Sequence, residues 1–244
     1  MTVTAKLSPE PSSMASFRGA ILLNRASPQV ADRLCALGEP VSLSKGEELP
    51  SDAEDDRLVF VSSGSAKLTA QAEPEQTHIL AFHFPGDFVS VLRRCDGYFR
   101  LIALTDVELV VFQASSFLDL AQEEPAVLRS VLARSIQALH RSRTKMMRLG
   151  HKSARQRIAD FLVSMAERIC GCTCGSCEIS LPMSRRDIGD SLGLKIETVS
   201  RQFTDLRDEG LIETTGRSLV KFNDLKALAA EAGHALSSEI QPQN

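Results

Sequence analysis

Apolar and polar positions follow two different rhythms along this chain. From about Val41 to Phe117 the apolar residues fall into short runs broken by turn residues. Leu58–Val61 ends at Ser62, Ser63 and Gly64, and Ile79–Phe84 ends at Pro85, Gly86 and Asp87. Leu101–Leu104 and Leu109–Phe112 follow. Closely spaced strands punctuated by Gly and Pro predict an antiparallel sandwich or barrel. No strand-helix-strand rhythm is present, which argues against a Rossmann-like sheet.

After Pro125 the period changes. Leu128, Leu132, Ser135, Leu139, Ser142, Met146 and Leu149 recur at spacings of 4, 3, 4, 3, 4 and 3, the seam of a coiled coil. The stripe is narrow, and Arg134, Arg141, Arg143, Lys145 and Arg148 flank it, so it reads as a dimer interface rather than a helix packed on its own domain. A second helix is predicted over Ser153–Ile169, with Ile158, Phe161, Leu162 and Met165 on one face. Next come a Cys-rich loop, a short helix over Ser184–Leu192, a turn at Gly193 and a helix over Ile196–Glu209. A hairpin over Leu211–Phe222, turning at Thr215 and Gly216, completes the pattern. Ser184 with Asp187 has the form of an acidic capping box.

Two short helices joined at a glycine, followed by a hairpin, form a winged helix-turn-helix. Ile188, Leu192, Leu194, Val199 and Phe203 would make its small core. That leaves Lys195, Glu197, Thr198, Ser200, Arg201 and Gln202 to face outward from the second helix, which suits the DNA major groove. Arg can bond guanine O6 and N7, Glu can accept from cytosine N4, and Ser can reach a base or a phosphate.

The net charge of −3 looks wrong for a DNA binder, but its distribution does not. Residues 141–226 carry 16 Lys/Arg and 11 Asp/Glu, while the remainder carries 12 and 20. A basic C-terminal part would meet the phosphate backbone. With no Trp and one Tyr, the chain lacks the aromatic platforms that single-stranded nucleic acid needs. No apolar run reaches the ~18 residues of a membrane helix, and Met1–Ser16 has no secretory apolar core. The expectation is a cytoplasmic protein with no membrane partner.

Glu197-Thr-Val-Ser-Arg201 resembles the E-x-x-S-R recognition segment of the FNR branch of the CRP/FNR transcription regulators. Leu181-Pro-Met-Ser-Arg-Arg-Asp-Ile188 and Asp208-Glu-Gly-Leu-Ile212 are similar to the same branch, especially its FixK-like members. Phe60–Leu68 and Pro85–Phe88 resemble the two glycine turns of the family's β-roll. The resemblance covers about Leu22–Leu228. It implies an α+β chain: an N-terminal antiparallel, jelly-roll-like β-roll, a long dimerisation helix and a C-terminal winged helix-turn-helix. By residue the chain divides into a flexible arm (1–20), which Pro9, Pro11, Ser12 and Ser13 suggest, a sensor-like β-roll (21–124), the dimerisation helix (125–150), the DNA-binding domain (151–228) and a tail (229–244).

The resemblance further implies a homodimer reading an inverted repeat of TTGA-like half-sites in double-stranded DNA. Glu197 and Arg201 would read the C and G, Ser200 a neighbouring base, and Ile196 would pack near a thymine methyl. Thr198, Ser184, Arg185 and Lys195 complete the expected DNA-facing set. The family recruits RNA polymerase, usually as an activator, and FixK-like members suggest low-oxygen respiration or nitrogen fixation.

No resident cofactor is expected. Cyclic AMP is disfavoured: the chain after Gly86-Asp-Phe88 reads Val-Ser-Val-Leu with no Glu, and the family's Arg-Ser pair falls near Gly97 and Tyr98, leaving an anionic phosphate without its partner. Arg93, Arg94 and Arg100 lie nearby. The N-terminal Cys cluster of the oxygen-sensing members is missing, and Cys35 and Cys95 cannot supply four thiolates; each reads as a small buried hydrophobe. Cys170, Cys172, Cys174 and Cys177 fall in eight residues. Three readings stay open there: a thiol redox switch, a zinc, copper or iron-sulfur site, and an inert surface loop. Two rival functions fit these residues less well. A β-barrel enzyme would need more converging ligands than His78 and His83 provide. A metal-binding or redox-relay protein leaves Glu197–Arg201 and the wing unexplained.

Overall fold

A computed structural model describes residues 12–22, 25–50, 56–73, 76–92 and 98–233, and the chain divides into two compact units between Ser142 and Arg143. The strands of the first unit are β1 (Glu39–Leu43), β2 (Arg57–Ser63), β3 (Ala66–Glu73), β4 (Gln76–His83), β5 (Phe88–Val91), β6 (Tyr98–Ala103) and β7 (Val107–Gln113). They form two antiparallel sheets, ordered β1-β7-β2-β5 and β4-β3-β6.

β2 and β7 explain the unbroken apolar runs. Side chains alternate along a strand. Val59, Val61, Leu109 and Val111 therefore join the core shared with Leu101 and Ala103 of β6. Phe60, Val110 and Phe112 point the other way, into a second core. A strand buried on both faces has no polar side to show.

Helices cover that second face. They are α1 (Ser12–Phe17), continued by a π-helical stretch over Arg18–Leu22, then α2 (Pro28–Leu37), α3 (Ala114–Ala121) and the start of α4 (Pro125–His151). The arm expected over residues 1–20 is corrected over residues 12–20. Met14, Phe17, Ile21 and Leu22 are all buried, and their spacing places them on one helical face. The Phe17 ring lies 4.8 Å from Phe112 and 5.6 Å from Phe60, centroid to centroid. Residues 1–11 lie outside those described. α4 seats Val127 and Val131 in the same core. Its Arg134 donates to the Gly86 and Ala20 carbonyls at 2.6 and 3.3 Å, so this arginine serves its own unit.

The second unit contains α5 (Ala154–Cys170), β8 (Cys177–Ser180), α6 (Arg185–Leu192), α7 (Ile196–Asp208), β9 (Ile212–Thr215), β10 (Leu219–Phe222) and α8 (Leu225–Glu231). Its sheet runs β8-β10-β9, all antiparallel. Two expectations change. The Cys-rich loop ends in a strand, β8, and residues 229–231, expected to start the tail, belong to α8, with Leu225, Leu228 and Ala232 buried. Residues 234–244, including His234, lie outside those described.

Arg155 ties three elements of this unit together. From α5 it donates to both Glu209 carboxylate oxygens at the end of α7, at 2.8 and 2.5 Å, and to Glu231 of α8 at 2.6 Å. The guanidinium holds the Glu209 carboxyl below its ordinary 4.5. A lowered carboxyl pKa contributes stability above the unfolded value, and that contribution is lost as pH falls through the folded one. Arg155→Gln is therefore expected to be less stable than the parent at neutral pH, with the gap narrowing below pH 4.5. Denaturant titrations at a series of pH values check this; a deficit constant across pH would show that charge plays no part.

Candidate nucleic-acid interface

α6 starts and stops where local chemistry dictates. The Ser184 hydroxyl accepts from the Asp187 N–H at 3.1 Å, and the Asp187 carboxylate accepts from the Ser184 N–H at 2.9 Å, a reciprocal cap. At the other end Gly193 is left-handed, with φ +64, a conformation that favours glycine. The chain then passes so close to α6 that a Cβ on Gly189 would sit 2.6 Å from the Leu194 carbonyl oxygen. Ile188, Leu192, Val199, Phe203 and Leu206 are buried between the two helices and their support. Leu206 joins this core unforeseen, while Leu194 is only half-buried.

The face of α7 opposite that core is polar and open. Lys195, Ile196, Glu197, Ser200 and Arg201 are exposed, and Thr198 is half-buried. Among the described residues no side-chain hydrogen bond or ion pair ties down Glu197, Ser200 or Arg201. Gln202 is engaged, donating to Asp205 at 2.9 Å. Arg185 departs from the expected outward set: its guanidinium stacks 3.2 Å from the Phe203 ring centroid, and burial lowers its pKa to about 10. It braces α6 on α7. Ser184 spends its hydroxyl on the cap. Beside α7, the β9–β10 hairpin turns through Gly216 and leaves Arg217 exposed at its tip, a cation that the expected set did not include.

The stripe on α4 is as open as the α7 face. Leu132 is 55% exposed, Leu139 49% and Met146 69%; Leu128 and Ser142 are also exposed. Ile136, 58% exposed, lies beside this seam and was not foreseen. Ser135 donates to the Val131 carbonyl one turn back at 3.0 Å. Leu149 lies on α4, with its side chain outside those described.

Three of the four clustered cysteines meet: the Sγ atoms of Cys170, Cys172 and Cys177 lie within 4.8 Å of one another, and Cys174 is not among them. Burial, with hydrogen bonding among the three, pushes the Cys177 thiol up to about 12. For Cys170 burial is outweighed by hydrogen bonds with Cys172, which leave it below the ordinary thiol range. Cys35 packs against the N-terminal core. Cys95, Arg93, Arg94 and Gly97 lie outside the described residues.

Two described parts of the β-roll bear on the expectation that cyclic AMP is disfavoured. Between Phe88 and Leu92 no carboxylate is present to hold a ribose. Arg100, the described cation of this region, is occupied by Gln71 at 3.1 Å and Glu48 at 3.6 Å.

Comparison with known proteins agrees with this geometry. The pattern of the Crp-like helix-turn-helix domain matches residues 156–231, and that of the cyclic nucleotide-binding domain matches residues 40–124. The nitrogen fixation regulation protein FixK of Bradyrhizobium diazoefficiens is 36% identical, over 80% of this chain and 83% of that protein. The transcriptional activator protein FnrL of Cereibacter sphaeroides is 32% identical, over 73% of this chain and 75% of that one. Among solved structures, FixK2 from Bradyrhizobium japonicum superposes with a TM-score of 0.70 at 29% identity, covering 81% of this chain and 98% of that one. These relatives are transcription regulators, not enzymes, which removes the β-barrel enzyme reading. No helix among the described residues is long and apolar enough to cross a membrane.

Proposed function

We propose, from the premise that this chain belongs to the FixK-like branch of the CRP/FNR family of DNA-binding transcription regulators, that it acts as a homodimer on TTGA-N6-TCAA-like inverted repeats. The observation that carries this reading is the open face of α7. Glu197, Ser200 and Arg201 project from the helix side opposite Val199 and Phe203, and these residue types suit cytosine, a neighbouring base and guanine. Ile196, 39% exposed at the start of the helix, suits a thymine methyl. Lys195, Thr198 and Ser184 flank the backbone path, and Arg185 supports α7 from behind. Once on DNA the dimer recruits RNA polymerase as an activator, at genes of low-oxygen metabolism or nitrogen fixation. The thiol chemistry expected at Cys170–Cys177 bears on this same DNA-binding unit.

A mobility-shift titration of reduced protein on a TTGA-N6-TCAA duplex, against a scrambled competitor, tests the reading. Specific binding as a dimer, without added effector, is expected; equal affinity for both duplexes would sink it.

The α4 stripe supports the dimer, since the exposed Leu132, Ile136 and Leu139 form a seam suited to a second copy. Leu132→Asp is expected to shift the protein to monomer in sedimentation at micromolar concentration. It should also weaken duplex binding by more than about tenfold, because one helix-turn-helix contacts only one half-site. An unchanged dimer would place the interface elsewhere.

A further inference from the structure

Cys170, Cys172 and Cys177 converge without being a core patch. Their Sγ atoms all lie within 4.8 Å of one another, yet Cys170 is exposed and the other two are half-buried. Apolar burial, the usual reason for a free cysteine to pack, does not account for the grouping. The backbone does. Cys170 is the last residue of α5, and Gly171 closes that helix at φ +71. The chain then turns back, so that the Cys172 thiol lies 4.0 Å from the Cys170 carbonyl oxygen. Cys177 enters from the other end of the loop, fixed as the first residue of β8 opposite Phe222 of β10. Midway, the Gly175 carbonyl accepts from the Leu225 N–H at 2.9 Å. The loop is thus anchored on α5, on the sheet and on the start of α8.

We propose that Cys170, Cys172 and Cys177 form a binding site for one thiophilic divalent cation, Zn2+, with solvent in the fourth position. Thiolates select such soft or borderline cations over hard ones. A Zn–S bond of about 2.3 Å places the sulfurs of a tetrahedral site about 3.8 Å apart, so the three atoms need close by only about 1 Å. A disulfide joins two sulfurs at about 2.05 Å and leaves the third unused, so it does not explain why three meet. Binding replaces three S–H bonds by three Zn–S bonds and releases three protons to solvent; no electron moves. Cys174 lies in the same loop but outside the group and is not a ligand. The metal joins the end of α5 to the start of β8 and so stiffens the frame that carries α6 and α7.

The full-length protein, reduced and stripped with a chelator under anaerobic conditions, is titrated with Co2+ and then Zn2+. One Co2+ per chain is expected, with a near-ultraviolet thiolate-to-cobalt absorption of three-sulfur intensity that Zn2+ abolishes. Cys170→Ser, Cys172→Ser and Cys177→Ser should each remove about a third of that absorption and weaken binding by about tenfold or more. Cys174→Ser and Cys35→Ser should change neither. Far-ultraviolet circular dichroism separates lost ligation from lost folding. Cys177 opens a strand, so its variant is read beside Cys170→Ser, which alters an exposed position. No Co2+ uptake by the reduced protein, or an equal loss in Cys174→Ser, overturns the three-thiolate site. So does a stoichiometric disulfide among these cysteines in protein isolated anaerobically. None of these readouts involves DNA, so their failure leaves the proposed function standing.

Discussion

Arg201→Ala is expected to reduce affinity for the TTGA-N6-TCAA duplex by roughly 30-fold to 2 × 10^4-fold, because a bidentate contact to guanine contributes about 1–3 kcal/mol in each of two half-sites. Arg201 is exposed on α7, one turn after Glu197, and its backbone is set by the buried Val199 and Phe203 on the far side. The substitution would remove the proposed base contact without touching that core, so the fold should survive. The loss should be selective. Binding to a duplex altered at the guanine should fall much less, and the salt dependence should drop by about one phosphate equivalent per subunit at most. Titrations of both proteins on both duplexes at two salt concentrations measure this. A uniform loss across duplexes would make Arg201 a backbone contact instead.

The second large effect is on stability. Phe17→Ala should destabilise the N-terminal unit by about 3–5 kcal/mol, the range for truncating a fully buried aromatic side chain. Phe17 is fully buried and touches Phe60, Phe112 and Phe117, whose ring centroids lie 5.6, 4.8 and 6.4 Å away. α1 is six residues long, too short to hold its shape alone, so packing against β2 and β7 must form it. Chemical denaturation of the two proteins reads the difference. A change within about 0.5 kcal/mol, as for a surface position, would return this segment to the flexible arm that its sequence suggested.

That suggestion shows where sequence reading stops. Pro9, Pro11, Ser12 and Ser13 outweigh a helical period that rests on Met14, Phe17, Ile21 and Leu22 alone. β8 is equally faint: of Cys177-Glu-Ile-Ser180 only Ile179 is buried, and one apolar residue makes no alternation. Its existence depends on pairing with β10, 39 or more residues later in register from Ser180 to Leu219. α8 lay hidden because its partner surface is α5, distant in sequence. The helix-turn-helix was legible for the opposite reason. The Ser184 cap, the turn at Gly193 and the apolar positions of α6 and α7 act within 25 residues of chain, and each constraint agrees with the next. The cysteine loop falls between these cases. Spacing places four thiols in one segment, but which three meet follows from the direction in which β8 leaves it.

α4 carries two apolar rows, and its own unit answers only one of them. Val127 and Val131 are covered, while Leu132, Ile136 and Leu139 are not. If those open positions pair with a second copy, the abundance of the protein becomes an input to its own output. Below the dimer dissociation constant, the number of DNA-competent pairs grows with the square of total protein. Doubling expression would then raise occupancy of an unsaturated promoter about fourfold, by mass action alone, and dilution by cell growth would lower it as steeply.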